Sequence, residues 1–365
     1  MSDLERVQRQ LIQGLEGKLS FAFGYHPDAD GIDSTAILIK YLRQRAEGLE
    51  EVRLFTIDNT GRTFEPPQLE GVMGMEAVGW IDLSVRSAEQ ISEVRETGKY
   101  VFMIDHHGIY TWKEGNISKS MADYPDLFIN SESLDILGRS ASELMQQLVG
   151  TQEKEWLDKI GLCGDLIQGD YTPATKKIAE IINLTGLAGR NLEPITKKDQ
   201  FCERIVDYLL KSTKAEEVLD YLEQDEGITT RYHTISMLID RIRTDIVKIE
   251  NGRPSVEDYL VRTFKRGPHK IIEVGLPEQK YDIKEQLLKS HHPSLGENTT
   301  MIVHTPFEGE TKVAVYTSVP DVVDCEPVCI KNGGGGHHSR GGLTLPTTDP
   351  QAVHKVTESV LACYD

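Results

Sequence analysis

The sequence contains little cysteine and no long apolar run. Only five cysteines occur among 365 residues, and their odd number and wide spacing argue against a disulfide framework. Nowhere do eighteen apolar residues follow one another, and the first ten residues, MSDLERVQRQ, lack the basic and apolar regions of a signal peptide. We therefore expect a cytoplasmic protein with reduced thiols that is neither secreted nor inserted in a membrane.

Basic residues are scarce relative to acidic ones. The chain has 40 Lys and Arg against 58 Asp and Glu, which gives a formal net charge of −18. Duplex DNA repels such a chain at long range, so extensive non-specific binding to duplexes is disfavoured. The imbalance is weakest in residues 251–365, which hold 12 basic and 15 acidic residues and seven of the eleven histidines. If the protein binds an anionic substrate, we expect residues 251–365 to bind it.

The length suits two domains with a connector rather than one core. Over the first 130 residues, apolar strand-like runs alternate with helical patterns, which predicts βαβ units and a parallel sheet. The pattern is helical from about Ser140 to Glu250, and strand signals return after residue 254. The predicted fold class is α/β, with a parallel-sheet domain over residues 1–190, a helical connector over 191–254 and a smaller α/β domain over 255–365.

Individual elements follow from the same patterns. In the first domain we predict strands at Leu19–Tyr25, Val52–Ile57, Ala77–Leu83 and Tyr100–Asp105, with helices at Ser34–Arg45 and Ser87–Thr97. In the last domain we predict strands at Tyr259–Phe264, Ile271–Gly275, Met301–Thr305 and Lys312–Thr317, and a final helix at Pro350–Cys363.

The first predicted strand is followed directly by a group of polar residues. After Tyr25 come His26, Asp28 and Asp30, which place one imidazole and two carboxylates within five residues. Nitrogen and oxygen donors of this kind suit Mn²⁺ or Mg²⁺ better than a metal that prefers thiols. Taken alone, the cluster is also consistent with Asp28 and Asp30 capping the next helix.

Two further strand ends carry the same residue types. Asp82 follows the third predicted strand, and Asp105, His106 and His107 end the fourth. Because the carboxyl ends of parallel strands line one edge of a sheet, the three strand ends should meet there. Four neighbouring carboxylates repel one another unless a cation neutralises them. The sequence therefore predicts a divalent-metal site at this edge.

These motifs, in this order, resemble the motifs of the DHH phosphoesterase superfamily. The resemblance rests on H-P-D-A-D-G at residues 26–31, the strand end at Asp82 and the literal D-H-H at residues 105–107. A fourth motif, an Asp after a helical run, is matched by Asp165, with Asp170 as the alternative. The superfamily includes RecJ-type single-strand exonucleases, nanoRNase-type phosphodiesterases and family II inorganic pyrophosphatases.

A glycine run near the C-terminus extends the resemblance. The segment G-G-G-G-H-H-S-R at residues 333–340 resembles the GGGGH segment of the DHH-associated substrate-binding domain, although His338 and Arg340 depart from the usual small residues. Glycines let backbone N–H groups approach an anion, whereas a flexible turn is the alternative interpretation. The substrate contacts that we predict here are Gly334, Gly335, Gly336, His337, His338 and Arg340.

The resemblance also implies the chemistry and the roles of single residues. Two Mn²⁺ or Mg²⁺ ions are implied, one held by His26, Asp28 and Asp82, the other by Asp30, Asp82, His106 and Asp165. Asp105 is expected to orient an imidazole, and His107 to face the substrate phosphate.

The implied reaction is hydrolysis of short single-stranded oligonucleotides or linear dinucleotides by water attack at phosphorus. RecJ-type cleavage of longer strands is the main alternative, although an aromatic content of 7% and the acidic charge disfavour a long strand-binding groove. A pyrophosphatase and a non-catalytic scaffold with this fold are weaker alternatives. Whether the chain forms a homodimer is left open.

Overall fold

The structure is a computed structural model that describes residues 2–45, 49–57, 63–83, 85, 87–107, 109, 111–114, 117–131, 140–149, 156–165, 167, 169–187, 195–250, 260–276, 298–307, 309–337 and 339–364. The chain divides into two compact units, residues 1–231 and 232–365. The division into three domains given above stays a prediction.

The first unit begins with helix α1 (Asp3–Leu15) and then alternates strands with helices. These elements are β1 (Ser20–Tyr25), α2 (Ala29–Arg45), β2 (Glu51–Thr56), α3 (Pro66–Val72), β3 (Ala77–Ile81), α4 (Ala88–Glu96) and β4 (Tyr100–Asp105). A small antiparallel hairpin, β5 (Thr111–Glu114) and β6 (Ile117–Ser120), precedes the last strand, β7 (Leu127–Asn130). Helices follow: α5 (Ala141–Val149), α6 (Leu157–Gly164), α7 (Pro173–Leu187), α8 (Ile195–Lys211), α9 (Ala215–Gln224) and α10 (Glu226–Glu250), which belongs to the second unit from residue 232 onward.

The predicted parallel sheet is confirmed. Its strand order is β2-β1-β3-β4-β7, and each neighbouring pair is parallel. The strands β1, β3 and β4 are buried almost throughout, as strands in the middle of a parallel sheet are. The four predicted strands agree with the observed bounds within two residues at each end. This buried sheet fixes the positions of the residues that follow its strands.

Helix α2 begins earlier than the sequence predicts. It starts at Ala29 rather than Ser34, and the Asp28 carboxylate accepts a hydrogen bond from the Gly31 N–H at 3.1 Å, as a capping residue does. A Cβ at Gly31 would lie 2.1 Å from the His26 carbonyl oxygen, so the turn into the helix requires glycine. The predicted start is wrong because the residues of the first motif themselves form the first turn.

The second unit contains a mixed six-stranded sheet. Its elements are β8 (Leu260–Arg266), β9 (His269–Gly275), β10 (Thr299–Phe307), β11 (Glu310–Thr317), α11 (Cys325–Lys331), β12 (Gly335–His337), β13 (Arg340–Leu345) and α12 (Pro350–Leu361). The strand order is β12-β13-β11-β10-β9-β8, with β9 and β10 parallel and the other pairs antiparallel. Residues of α11 and α12, including Val328 and Val356, share a core with residues of the sheet. The predicted α/β character of this region is confirmed.

No helix in the described part of the chain is both long and apolar enough to cross a membrane. All five cysteines lie in described residues, and each is a free thiol: Cys163, Cys202, Cys325, Cys329 and Cys363.

Candidate metal centre

The carboxyl ends of β1, β3 and β4 lie side by side because β3 pairs with both of the other strands. Tyr25 pairs with Ile81, and Ile81 pairs with Ile104. The ladder continues for one residue beyond the strands, since His26 N donates to Ile81 O at 3.4 Å and Asp82 N donates to Ile104 O at 2.9 Å. The motif residues therefore leave the sheet at the same edge, as the sequence predicts.

His26, Asp28 and Asp82 form one group of donors. His26 Nδ1 lies 2.9 Å from Asp28 Oδ2 and 3.9 Å from Asp82 Oδ2. All three residues are buried, and one donor atom of each lies within 4.8 Å of the others. This spacing is close enough for a single cation to contact all three side chains.

Asp30, His106 and Asp165 form a second group. His106 Nε2 lies 3.5 Å from Asp30 Oδ2 and 3.5 Å from Asp165 Oδ2. Asp165 is the residue directly after α6 and is buried, whereas Asp170 is exposed and lies outside the cluster. The structure thus brings Asp165, and not Asp170, to the other three motifs.

Asp82 lies between the two groups. Its Oδ2 faces His26, and its Oδ1 lies 3.2 Å from His106 Nε2. Its backbone has a φ of 57°, in the left-handed region that residues other than glycine rarely adopt. Such backbone strain is typical of residues that a functional site holds in one orientation.

Asp105 holds the ring of His107. Asp105 Oδ1 accepts from the backbone N–H of His106 at 2.8 Å and of His107 at 3.2 Å, and it lies 2.7 Å from His107 Nδ1. Burial favours the neutral acid, but the charge of His107 and the hydrogen bonds outweigh it and hold the pKa of Asp105 below its usual range. The His107 side chain is 32% exposed and that of His106 only 3%, so a ligand from solvent can reach His107.

Asp30 is held by the first turn of α5. Ala141 N donates to Asp30 Oδ2 at 2.7 Å, and Ser142 N donates to Oδ1 at 2.9 Å. The free N–H groups and the positive end of a helix dipole both favour a carboxylate at this position. A Cβ at Gly161 of α6 would lie 2.5 Å from Asp30 Oδ1, so glycine lets α6 approach the same carboxylate.

Negative charge is in excess in this cluster. Burial, and next the charge of Asp165, raises the pKa of Asp30 to about 6. Burial, with repulsion from Asp30 and Asp28, raises the pKa of Asp82 well above its usual value. Burial alone would lower the pKa of His106, but its hydrogen bond to Asp82 and the surrounding carboxylates raise it to about 10. A bound cation would relieve this repulsion.

The donor set fits hard or borderline divalent metal ions. Each candidate donor is an imidazole nitrogen or a carboxylate oxygen, which are the ligands that Mn²⁺ and Mg²⁺ accept. His26 Nε2 is buried without a hydrogen-bond partner among the described residues. The six predicted ligands thus share one buried cluster, and their assignment to individual ions stays a prediction: His26, Asp28, Asp30, Asp82, His106 and Asp165.

The predicted substrate residues of the glycine run lie in the second unit. The run forms strand β12 rather than a loop, and Gly335, Gly336 and His337 pair with Gly342, Gly341 and Arg340. A Cβ at Gly334 would lie 2.1 Å from the Gly342 carbonyl oxygen, so this glycine serves strand packing, whereas Gly335 borders open space. His338 lies outside the described residues, and only the backbone of Gly336 and His337 is described. Contact of this segment with substrate stays a prediction.

Two asparagines that support the motifs are missed by the sequence analysis. Asn130, at the end of β7, donates from Nδ2 to the His107 carbonyl oxygen at 2.7 Å. Asn183, within α7, contacts the backbone of both the first and the fourth motifs. Asn130 gives a weak sequence signal, because it ends a short apolar run. Asn183 gives none, because it is a lone Asn in a helical pattern.

Solved structures with a similar fold exist, although they share little sequence with this chain. The DHH domain of a protein assigned to a family of ribosomal proteins superposes with a TM-score of 0.66 and 13% identity, over 98% of this chain and 89% of that chain. RecJ from Thermus thermophilus, in complex with Mn²⁺, superposes with a TM-score of 0.56 and 14% identity. That alignment covers 99% of this chain and 54% of RecJ, so the chain spans about half the length of that exonuclease.

A further structure, of exonuclease RecJ bound to manganese, superposes with a TM-score of 0.50 and 16% identity, over 100% of this chain and 94% of that chain. No curated protein matches the sequence. Residues 21–181, which contain all four motifs, match the model of the DHH family, N-terminal domain. With the motifs and the parallel sheet in agreement, residues 21–181 form a domain of the DHH family.

Proposed function

We propose that the protein is a divalent-metal-dependent phosphodiesterase that hydrolyses short oligonucleotides or linear dinucleotides. The observation that carries the proposal is the position of the Asp82 carboxylate, with one oxygen toward His26 and the other toward His106. Two metal ions that share a carboxylate are a recurring arrangement in phosphate-ester hydrolysis. The proposal is supported by RecJ from Thermus thermophilus, which has the same fold and was solved with Mn²⁺ and with Mg²⁺.

The ligand assignment follows the two donor groups. His26, Asp28 and Asp82 would hold one Mn²⁺ or Mg²⁺ ion, and Asp30, Asp82, His106 and Asp165 the other. When bound, such ions activate a water and neutralise charge on the phosphate.

The protein supplies donors that are already fixed in place. The α5 amides orient Asp30, and the backbone conformation of Asp82 orients its carboxylate. Fixed donors stabilise developing charge without reorganising during the reaction.

Asp105 and His107 act on the substrate rather than on the metals. The Asp105 carboxylate accepts a hydrogen bond from Nδ1–H of His107 and orients the ring, so that Nε2 can face a phosphate oxygen. The exposure of His107 agrees with this role. Asp105 is therefore a positioning residue, and His107 contacts the phosphate.

We also propose that the glycine run of the second unit binds a phosphate group. The half-buried backbone at Gly335 and the guanidinium of Arg340 carry N–H groups of the kind that bind a phosphate or a terminal nucleotide. A net charge of −18 and an aromatic content of 7% provide little attraction for a long strand. Short substrates are therefore favoured over long ones.

A labelled length series, from dinucleotide to thirty-mer, tests the proposal in Mn²⁺ and in chelator. We expect the dinucleotide to be cleaved fastest and chelator to stop the reaction. Asp165→Asn removes a buried donor, whereas Asp170→Asn, five residues away and exposed, makes the same chemical change outside the cluster. D165N should lose turnover, and D170N should keep it.

Three results would contradict the proposal. Undiminished cleavage of the longest strand would place the protein with processive single-strand exonucleases. Turnover that survives chelation would remove the metals from the mechanism, and equal activity of D165N and D170N would remove Asp165 from the site.

A further inference from the structure

Helix α7 belongs to the helical stretch to which the sequence analysis assigns no function. It packs against α2 and α6, the two helices that carry Asp30 and precede Asp165. Its residues 181–186 are all buried, so this end of the helix lies in the interior of the first unit. Asn183, which is 6% exposed, is among them. A buried amide needs an acceptor for its N–H groups and a donor for its oxygen.

Asn183 finds these partners in two different motifs. Its Oδ1 accepts from the Ala29 N–H at 2.9 Å, and its Nδ2 donates to the Gly164 carbonyl oxygen at 3.1 Å. Ala29 lies between the two aspartates of the first motif, and Gly164 directly precedes Asp165. One side chain therefore links the backbone beside Asp30 to the backbone beside Asp165.

The surrounding backbones approach one another too closely to move independently. A Cβ at Gly164 would lie 2.4 Å from the Cβ of Ala29. A Cβ at Gly186, one helical turn after Asn183, would lie 2.0 Å from the carbonyl oxygen of Pro27. Helix α7 thus contacts the first motif at two points on the same face, three residues apart. Because of this packing, the two hydrogen bonds of Asn183 hold the backbones of Ala29 and Gly164 at a fixed distance from each other.

We propose that Asn183 is a positioning residue that sets the separation of Asp30 and Asp165, the two carboxylates that face His106. The inference rests on the proposed function, because it gives these carboxylates a common metal ion. Asn183 itself contacts neither metal nor substrate. Residues that orient metal ligands in this indirect way typically change metal affinity or activity by about 10- to 100-fold when they are replaced.

Two variants and a matched control separate this role from simple stabilisation of the helix. Asn183→Leu has a similar volume and removes both hydrogen bonds. Asn183→Ser is neutral and shorter, and its hydroxyl can bond within the helix but cannot span both motifs. Thr185→Val is the control, because Thr185 is on the same helix, is equally buried, and donates its hydroxyl only within α7, to Ile181 O at 2.7 Å.

Each protein is titrated with Mn²⁺ by calorimetry, and its melting temperature is measured in chelator. We expect N183L and N183S to bind Mn²⁺ about 10- to 100-fold more weakly than the unchanged protein. T185V should stay within threefold, even if its melting temperature falls by as much as that of N183S. If N183L does not fold, the Mn²⁺ affinity of N183S alone tests the positioning role.

Three other outcomes test this inference and distinguish it from the proposed function. Mn²⁺ affinities of N183L and N183S within threefold of T185V would overturn the positioning role and leave Asn183 as a stabilising residue. If the unchanged protein binds Mn²⁺ but cleaves no substrate of the length series, the proposed function fails and the weakened binding in N183L still supports the inference. If the unchanged protein binds no Mn²⁺, both are overturned.

Discussion

Each unit buries acidic side chains, and the two units balance that charge in opposite ways. In the second unit, Glu273 on β9 is 2% exposed. Its Oε1 lies 3.5 Å from Arg262 Nη1 and 3.6 Å from His304 Nε2. Its Oε2 accepts a hydrogen bond from Thr357 Oγ1 at 3.0 Å. Burial alone raises the pKa of Glu273, but its contact with His304, the hydrogen bond from Thr357 and the nearby positive charge hold it below its usual value. This carboxylate is neutralised by the chain itself.

In the first unit, the chain compensates the charge of Asp105 through His107 but leaves Asp30 and Asp82 with an excess of negative charge. Burial and mutual repulsion raise the pKa of Asp30 to about 6 and the pKa of Asp82 well above its usual value, even with His106 beside them. A buried acidic group is therefore not in itself a sign of a metal site. Glu273 has a lowered pKa because the chain supplies partners for its charge, whereas Asp30 and Asp82 have raised pKa values because neighbouring carboxylates add to the cost of burial.

The largest expected effect is that of Asp82→Asn. This change keeps the shape of the side chain and removes the charge that faces both donor groups. Metal ions contribute several kcal/mol of transition-state stabilisation, so we expect turnover to fall on the order of 10³-fold or more. In chelator at pH 8 the same variant should be more stable than the unchanged protein, because a carboxylate with a raised pKa disfavours the folded state when ionised.

Turnover assays and urea unfolding check these two expectations. If D82N keeps turnover within threefold, Asp82 is not a shared ligand. If D82N is destabilised in chelator, the first cluster is compensated by the chain as Glu273 is, and the contrast between the units disappears.

The next effect is the stabilisation of the protein by metal. Binding of Mn²⁺ to the folded state alone, at 100 times its Kd, should stabilise the protein by about 2.7 kcal/mol per site. The melting temperature of the unchanged protein should therefore rise with Mn²⁺, D82N should lose most of this rise, and Glu273→Gln should retain it. Mn²⁺ should also restore activity after chelation better than Ca²⁺, because imidazole ligands favour a transition metal. If Mn²⁺ raises the melting temperatures of D82N and E273Q equally, Asp82 does not bind the metal.

A third prediction concerns how the two units divide the reaction. Arg340 is proposed to hold the substrate in the ground state as well as in the transition state, so Arg340→Ala should raise KM more than it lowers kcat. A charge-assisted hydrogen bond of about 1.5–3 kcal/mol corresponds to roughly 10- to 100-fold in KM on a dinucleotide. Steady-state kinetics check this, with D82N as the variant that lowers kcat. A fall in kcat alone would place Arg340 in the chemical step.

The sequence predicts four strands of the parallel sheet and the clustering of the first three motifs, whereas Asp165 follows only from the family resemblance. Strands β1, β3 and β4 are continuous apolar runs, and the rule that ligands bind at the carboxyl ends of parallel strands brings His26, Asp82 and His106 together without a structure. The start of α2 was mispredicted, because Asp28 and Asp30 read as residues before a helix while the first turn in fact contains Asp30. Strand β7 has only four residues, too few for a periodic signal.

Contacts between distant segments were beyond the reach of the sequence. The bonds from α5 to Asp30 connect residues 111 and 112 positions apart, and the bond from Asn183 to Ala29 connects residues 154 apart. No local pattern encodes such pairs, because they depend on how helices pack. For the same reason, the closeness of Arg262, Glu273 and Thr357 is visible only once β8, β9 and α12 are placed together.

The smallest expected effect is that of Glu273→Gln, and its sign is opposite to that of D82N in chelator. The amide leaves Arg262 and His304 facing a neutral group, so we expect a loss of about 1–2 kcal/mol in the free energy of unfolding at pH 7. Turnover per folded molecule should be unchanged. The matched control is Glu310→Gln in the same sheet, where the pair with Lys312 should contribute less than about 1 kcal/mol because the Glu310 side chain is 44% exposed.

The pH dependence of this difference tests its cause. The folded-state pKa of Glu273 lies below its ordinary value of 4.5, so its stabilisation is fully present above that pH. It is lost as the pH falls through the lower, folded-state pKa, because the carboxylate then becomes protonated and resembles the amide of the variant. We therefore measure the free energy of unfolding of E273Q and of the unchanged protein in urea at pH 7, 5 and 4. The difference between the two proteins should be the same at pH 7 and pH 5 and smaller at pH 4. If this difference in the free energy of unfolding instead grows as the pH falls, Glu273 has a raised pKa, as Asp30 and Asp82 do. The contrast between Glu273 and those two carboxylates would then disappear.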